Sequence, residues 1–75
     1  MDKRSLSIAG HRTSIALEPE FWAALDAIAA EKQLSLAALI REIDGTRQTA
    51  NLSSAVRLAV LAWYQEKARN GAEAR

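Results

Sequence analysis

Residues 12–21 of the 75-residue chain read Arg12-Thr13-Ser14-Ile15-Ala16-Leu17-Glu18-Pro19-Glu20-Phe21, and the fold turns on this stretch. Ile15 and Leu17 lie two apart with Thr13 beside them, the period of a strand covered on one face, so Arg12, Ser14 and Ala16 project from the other. Glu18-Pro19-Glu20 then changes the period. Proline is tolerated in the first turn of a helix, where its N–H is not needed, and acidic side chains there meet the positive end of the helix dipole. A strand over 11–17 therefore runs directly into a helix over 19–32, with Phe21, Leu25, Ile28 and Ala29 on its buried face and Asp26, Glu31 and Lys32 on its wet one.

Upstream, Arg4–Ile8 also alternates, with Leu6 and Ile8 on one side and Ser5 and Ser7 on the other. The apolar phase switches from even to odd positions across Gly10, the place for a turn, bulge or disordered joint. Residues 1–10 are accordingly expected as a flexible arm. Downstream, Ser35 is a suitable N-cap for a short helix over 35–44, in which Leu36, Leu39, Ile40 and Ile43 recur at helical spacing before Asp44-Gly45 ends the pattern. Gly45–Ala50 reads as a loop. Asn51 or Ser53 caps a third helix over 52–68, whose body from Ala55 to Tyr64 is apolar on nearly every side apart from Arg57. The tail from Gln65 is charged, with fraying and disorder expected after Gly71. The whole reads as one domain over 1–75, mainly α with one short N-terminal strand.

A chain of this size, about half apolar, has little volume for a private core. No cysteine is present, and a single histidine, His11, cannot assemble a structural zinc site, so oligomerisation is the remaining means of stabilisation. A lone strand with two open edges and a third helix without a polar face both call for a second copy, with Trp22 and Trp63 as core or interface anchors. The longest apolar run, Leu58–Tyr64, is far shorter than the roughly 20 residues of a membrane span, so a cytoplasmic location and no membrane contact are expected.

Net charge is only +1, but its distribution is uneven. Met1–Leu17 carries Lys3, Arg4 and Arg12 against Asp2, whereas the remainder is slightly acidic. Seven of the ten basic residues are arginine, the side chain suited to forked contacts with phosphate and guanine. Enzymatic chemistry finds no support. Glu18 and Glu20 are explained by the helix dipole, no serine or threonine has a histidine partner by motif, and there is no glycine-rich phosphate loop. No cofactor is expected.

The order of elements, with Arg12–Phe21 followed by Leu25 and Ile28, resembles the ribbon-helix-helix family, which includes the Arc, methionine and CopG repressors. More closely, Ser5–Ser14, Phe21-Trp22 and Asn51-Leu52-Ser53-Ser54-Ala55-Val56-Arg57 are similar to a bacterial subfamily with an extra helix. The resemblance implies an intertwined homodimer whose two-stranded ribbon, one strand from each chain, enters the major groove of double-stranded DNA. Assembly beyond the dimer on DNA stays open. By the same resemblance, Arg12, Ser14 and Ala16 read bases: Arg12 bonding guanine, Ser14 donating or accepting, Ala16 packing on a thymine methyl. It further implies a phosphate clamp at the N-terminus of a later helix, formed by Asn51, Ser53 and Ser54 when the third helix, with its long apolar body, is taken as the family's usual second one, and otherwise by Ser35-Leu36, with Lys3 and Arg4 following the backbone as part of the arm. Transcriptional repression is the function implied. The alternative is a protein-interaction dimer, such as an antitoxin or adaptor, whose strand face meets a protein partner.

Overall fold

A computed structural model describes residues 1–46 and 51–73. Its elements run β1 (Asp2–Ile8), β2 (His11–Leu17), α1 (Pro19–Lys32), α2 (Leu36–Thr46) and α3 (Leu52–Glu73).

The expected single strand is a hairpin. β1 and β2 pair antiparallel from Asp2 opposite Leu17 to Ile8 opposite His11. The connection is two residues long, and both have positive φ, 51° at Ala9 and 83° at Gly10. That is the type I′ geometry, whose twist matches the strands it joins. Residues 1–10 are therefore not a free arm, and β2 does not lack a neighbour within its own chain. The phase switch across Gly10 has a simple cause: a two-residue turn pairs each even position of β1 with an odd one of β2. Leu6 and Ile8 then share a face with Thr13, Ile15 and Leu17.

This inner face covers the helices. Ile8, Ile15 and Leu17 are buried with Trp22, Leu25, Ile28 and Ala29 of α1, Leu39 and Ile40 of α2, and Val56 and Val60 of α3. Each large aliphatic side chain so buried contributes about 1.5–3 kcal/mol. Trp22 is 1% exposed, and its indole Nε1–H donates to the Asp2 carbonyl at 2.9 Å, so its one polar atom is satisfied. The tryptophan thereby ties the start of β1 to α1. α2 packs under β1 and α3 under β2.

Each helix end has a local cause. α1 begins with Pro19 in its first turn and closes with Gln33 in the left-handed region at φ 58°. The Leu34 N–H reaches the Ala29 carbonyl at 2.9 Å and the Gln33 N–H that of Ala30 at 3.2 Å, which satisfies carbonyls the helix end would otherwise orphan. α2 starts behind Ser35, whose Oγ accepts the Ala38 N–H at 3.1 Å. Instead of stopping at Asp44 it continues through Gly45 to Thr46, whose hydroxyl donates to the Glu42 and Ile43 carbonyls and closes the last turn. Gly45 and Thr46, expected in a loop over 45–50, are thus helical, and the other four residues of that segment lie outside the described ones. α3 extends beyond the expected end at Ala68 to Glu73. Lys67 bonds Glu31 of α1 at 2.9 Å and Arg69 pairs with Glu66, so the segment expected as a charged tail is helical. Of the segment expected to be disordered after Gly71, Arg75 and its neighbour Ala74 lie outside the described residues.

α3 has two unlike sides. Ala55, Val56 and Val60 are buried, and Trp63 packs against the core. On the opposite side Leu58, Leu61 and Tyr64 are 60%, 52% and 44% exposed. The expectation of an apolar helix with one face uncovered by its own chain holds in this form.

Candidate nucleic-acid interface

The register that turns the apolar residues inward sets the polar ones out. Lys3 lies opposite Ala16, Ser5 opposite Ser14, and Ser7 opposite Arg12. The Ser5 and Ser14 hydroxyls are 3.1 Å apart, a cross-strand hydrogen bond. All six except the half-buried Ala16 are exposed. The outer face thus carries two cations, Lys3 and Arg12, at opposite ends of a strip of serine hydroxyls, and no carboxylate. Arg12, Ser14 and Ala16 stand along β2, and Lys3, Ser5 and Ser7 along β1. Sequence reasoning missed Ser5 and Ser7 as members of this face because it treated their strand as an arm, although their alternation was visible.

Arg4 is placed elsewhere. It is on the inner side, its guanidinium 4.6 Å from the Trp22 ring centroid and 3.3 Å from the Asp26 carboxylate. Stacking on an aromatic face and pairing with an acid hold it against α1. Arg57, the polar residue in the apolar body of α3, is similarly engaged. Its Nε and Nη2 donate to Glu18 Oε1 at 3.1 and 2.9 Å, and the guanidinium lies 5.7 Å from the Phe21 ring centroid. The Glu18 carboxyl is held below its ordinary pKa of 4.5, first by a backbone hydrogen bond and then by Arg57. This pair joins the junction of β2 and α1 to α3.

A census of charge separates the two sides. Among the described residues, Arg4, Lys32, Arg57, Lys67 and Arg69 pair with Asp26, Glu42, Glu18, Glu31 and Glu66. The remaining lysine and arginine side chains described, Lys3, Arg12 and Arg41, have no acidic partner. Two of these three are on the outer face of the hairpin. Unpaired cations beside hydroxyl donors, without a nearby carboxylate, are suited to phosphate oxygens and base edges.

Asn51, Ser53 and Ser54 lie at the start of α3. Asn51 Oδ1 accepts the Ser54 N–H at 3.3 Å and its carbonyl accepts the Ala55 N–H at 3.0 Å, so Asn51 is the cap residue. Ser35 caps α2 in the same manner. Both sequence candidates for a phosphate clamp are therefore capped helix starts.

A protein-family model described as a ribbon-helix-helix domain matches residues 1–64 of the chain. No curated protein and no solved structure matches it.

Proposed function

Because the chain belongs to the ribbon-helix-helix family, whose members typically bind DNA, we propose that it is a sequence-specific double-stranded-DNA-binding protein, a transcriptional repressor acting as a homodimer. The observation that carries this reading is the outer face of the hairpin, where Lys3 and Arg12 stand unpaired among serine hydroxyls, while the lysine and arginine side chains described on the helices, Arg41 apart, pair with acids.

Two features support the second copy. The hairpin is a two-stranded sheet, so β2 has an edge that β1 does not occupy. In a two-residue hairpin the pair next to the turn is hydrogen-bonded and pairs alternate from there, so the backbone groups of Arg12, Ser14 and Ala16 point to that edge. α3 packs under β2 and leaves Leu58, Leu61 and Tyr64 exposed, apolar surface that a second copy would cover. Joining two copies edge to edge along β2 satisfies the strand and covers apolar surface in one step.

The resulting strand order is β1-β2-β2-β1, with the twofold axis between the central pair. Neighbouring strands are about 4.8 Å apart, so β2 lies about 2.4 Å and β1 about 7 Å from the axis. The major groove is about 12 Å wide. The central strands fit between its walls and the outer ones lie over the walls themselves. Base reading then falls to Arg12, Ser14 and Ala16, and Lys3 on β1 meets the phosphates. Arg12 is placed for a forked bond to guanine, Ser14 as donor or acceptor, and Ala16 against a thymine methyl. The capped start of α3, with Asn51, Ser53 and Ser54, supplies further backbone N–H groups to phosphate.

Fluorescence anisotropy tests this with labelled duplex from the region upstream of the gene and a scrambled duplex of equal length, each at two salt concentrations. Tighter binding to the upstream duplex that survives the higher salt is expected. Absence of binding to either duplex would overturn the reading and favour a protein partner.

A further inference from the structure

The two hydroxyls in the middle of the hairpin's outer face form a unit that neither serine makes alone. In a two-residue hairpin the pair next to the turn, here Ile8 and His11, is hydrogen-bonded, and pairs alternate from there. Ser5 and Ser14 are therefore a non-hydrogen-bonded pair, the kind whose Cα atoms approach to about 4.5 Å and whose side chains meet. Their oxygens are 3.1 Å apart. Both residues are exposed, so each hydroxyl keeps bonding capacity for a ligand above the sheet.

A serine hydroxyl has one hydrogen and two acceptor lone pairs. Whichever serine donates across the pair has spent its only hydrogen and offers a ligand lone pairs alone, whereas the other keeps its hydrogen. In the free chain either oxygen can be the donor. Bound DNA removes that freedom. In the dimer proposed above, Ser5 stands with Lys3 and Ser7 on β1, the strand over the groove wall, and Ser14 stands on β2, inside the groove. A phosphate oxygen only accepts. Ser5 then gives its hydrogen to the phosphate wall and takes the hydrogen of Ser14, which is left facing the base as an acceptor. Each bond of this chain runs towards the phosphate charge, and each strengthens the next. The opposite direction would turn the lone pairs of Ser5 on the phosphate.

We infer that Ser5 is a positioning residue that makes Ser14 an acceptor, and so restricts Ser14 to bases that carry an amino group in the major groove, adenine through N6 or cytosine through N4. Guanine and thymine present the acceptors O6 and O4 there, which would face the Ser14 lone pairs. The inference rests on the DNA-binding reading and deepens it: of the two ways in which Ser14 could read a base, a residue on the strand outside the groove selects one.

Selection of bound sequences from a library of random duplexes tests this, with the parent, Ser14→Ala, Ser5→Val and Ser5→Thr compared by sequencing. Valine and threonine have the same shape and both suit an exposed strand position, so the two Ser5 variants differ in the hydroxyl alone. Circular dichroism and size-exclusion chromatography check that each variant folds and assembles as the parent does. The base that Ser14 reads is the position whose preference Ser14→Ala loses. There the parent is expected to favour adenine or cytosine over guanine or thymine by about tenfold. Ser5→Thr keeps that bias. Ser5→Val frees the Ser14 hydrogen, so the bias falls towards parity while preferences elsewhere in the site stay parental, which a general loss of structure would not spare. A parental bias towards guanine or thymine, no position lost in Ser14→Ala, an unchanged bias in Ser5→Val, or equal loss in both Ser5 variants would overturn the inference, and the enriched site would leave the DNA-binding reading standing. A parent that enriches no sequence would overturn both.

Discussion

The outer face of the hairpin and the surface of the helices differ in how they treat charge. On the helices, each described lysine or arginine other than Arg41 is matched to an acid, and Arg57 and Lys32 also lie over aromatic rings. On the hairpin face Lys3 and Arg12 have only serine hydroxyls beside them. Net charge conceals this difference, because a balance of +1 averages a neutralised surface with a small unneutralised one. A folding requirement accounts for the first: Arg4–Asp26 and Arg57–Glu18 join β1 to α1 and α1 to α3. Nothing in the packing of the described residues calls for the second, and the proposed DNA ligand would use it.

The comparison breaks most visibly where the helical side is hollowed out. Leu25→Ala removes a fully buried side chain from the junction of the three helices and is expected to cost about 2–5 kcal/mol. Urea denaturation measures it, and in so small a domain the loss should bring partial unfolding at room temperature. Arg12→Ala, on the other side, is expected to leave the urea midpoint unchanged while losing about 1–3 kcal/mol of discrimination between upstream and scrambled duplex. An unfolded Arg12→Ala protein would show that the outer face has a structural task after all. Leu61→Glu tests the apolar stripe of α3: the chain should stay helical while sedimentation shows a shift towards monomer.

A smaller effect sharpens the hairpin itself. Gly10→Ala meets no atom within 4 Å, so any penalty comes from placing a Cβ at φ 83°. A loss of about 1–2 kcal/mol is expected by urea denaturation. A neutral outcome would mean that the turn does not hold this geometry. The smallest effect concerns Glu18. Its carboxyl has a lowered pKa in the folded chain, so the stability it contributes is present above its ordinary pKa of 4.5 and is lost as pH falls through the lower folded value. Glu18→Gln should therefore reduce stability slightly at neutral pH and flatten the acid limb of the pH–stability curve.

Much of this was legible in the residues. The strand over 11–17, the Pro19 helix start, the buried Leu25, Ile28 and Ala29 of α1 and Leu39 and Ile40 of α2, and the outward set of Arg12, Ser14 and Ala16 follow from period and from the chemistry of helix ends, whereas Trp22 rather than Phe21 takes the fully buried place at the start of α1. The hairpin was not, for two physical reasons. Its turn is Ala9-Gly10, without the asparagine or aspartate that usually marks two consecutive positive φ values. β1 also carries Arg4 at an inward position, which spoils an apolar alternation until Trp22 and Asp26 are known to receive it. The decisive clue was the even-to-odd switch, which a two-residue turn requires and a flexible joint does not. That Ser5 bonds Ser14 was not legible for a related reason: pairing between elements is a tertiary fact.

The most direct test of the outer face as the DNA-binding surface is a titration of isotope-labelled protein with duplex DNA, followed by amide chemical shifts in solution. Shifts concentrated at Lys3, Ser5, Ser7, Arg12, Ser14 and Ala16, with the paired helical positions around Glu31 and Lys67 unmoved, are the expected result. Shifts centred on α1 and α3, with the hairpin silent, would contradict it.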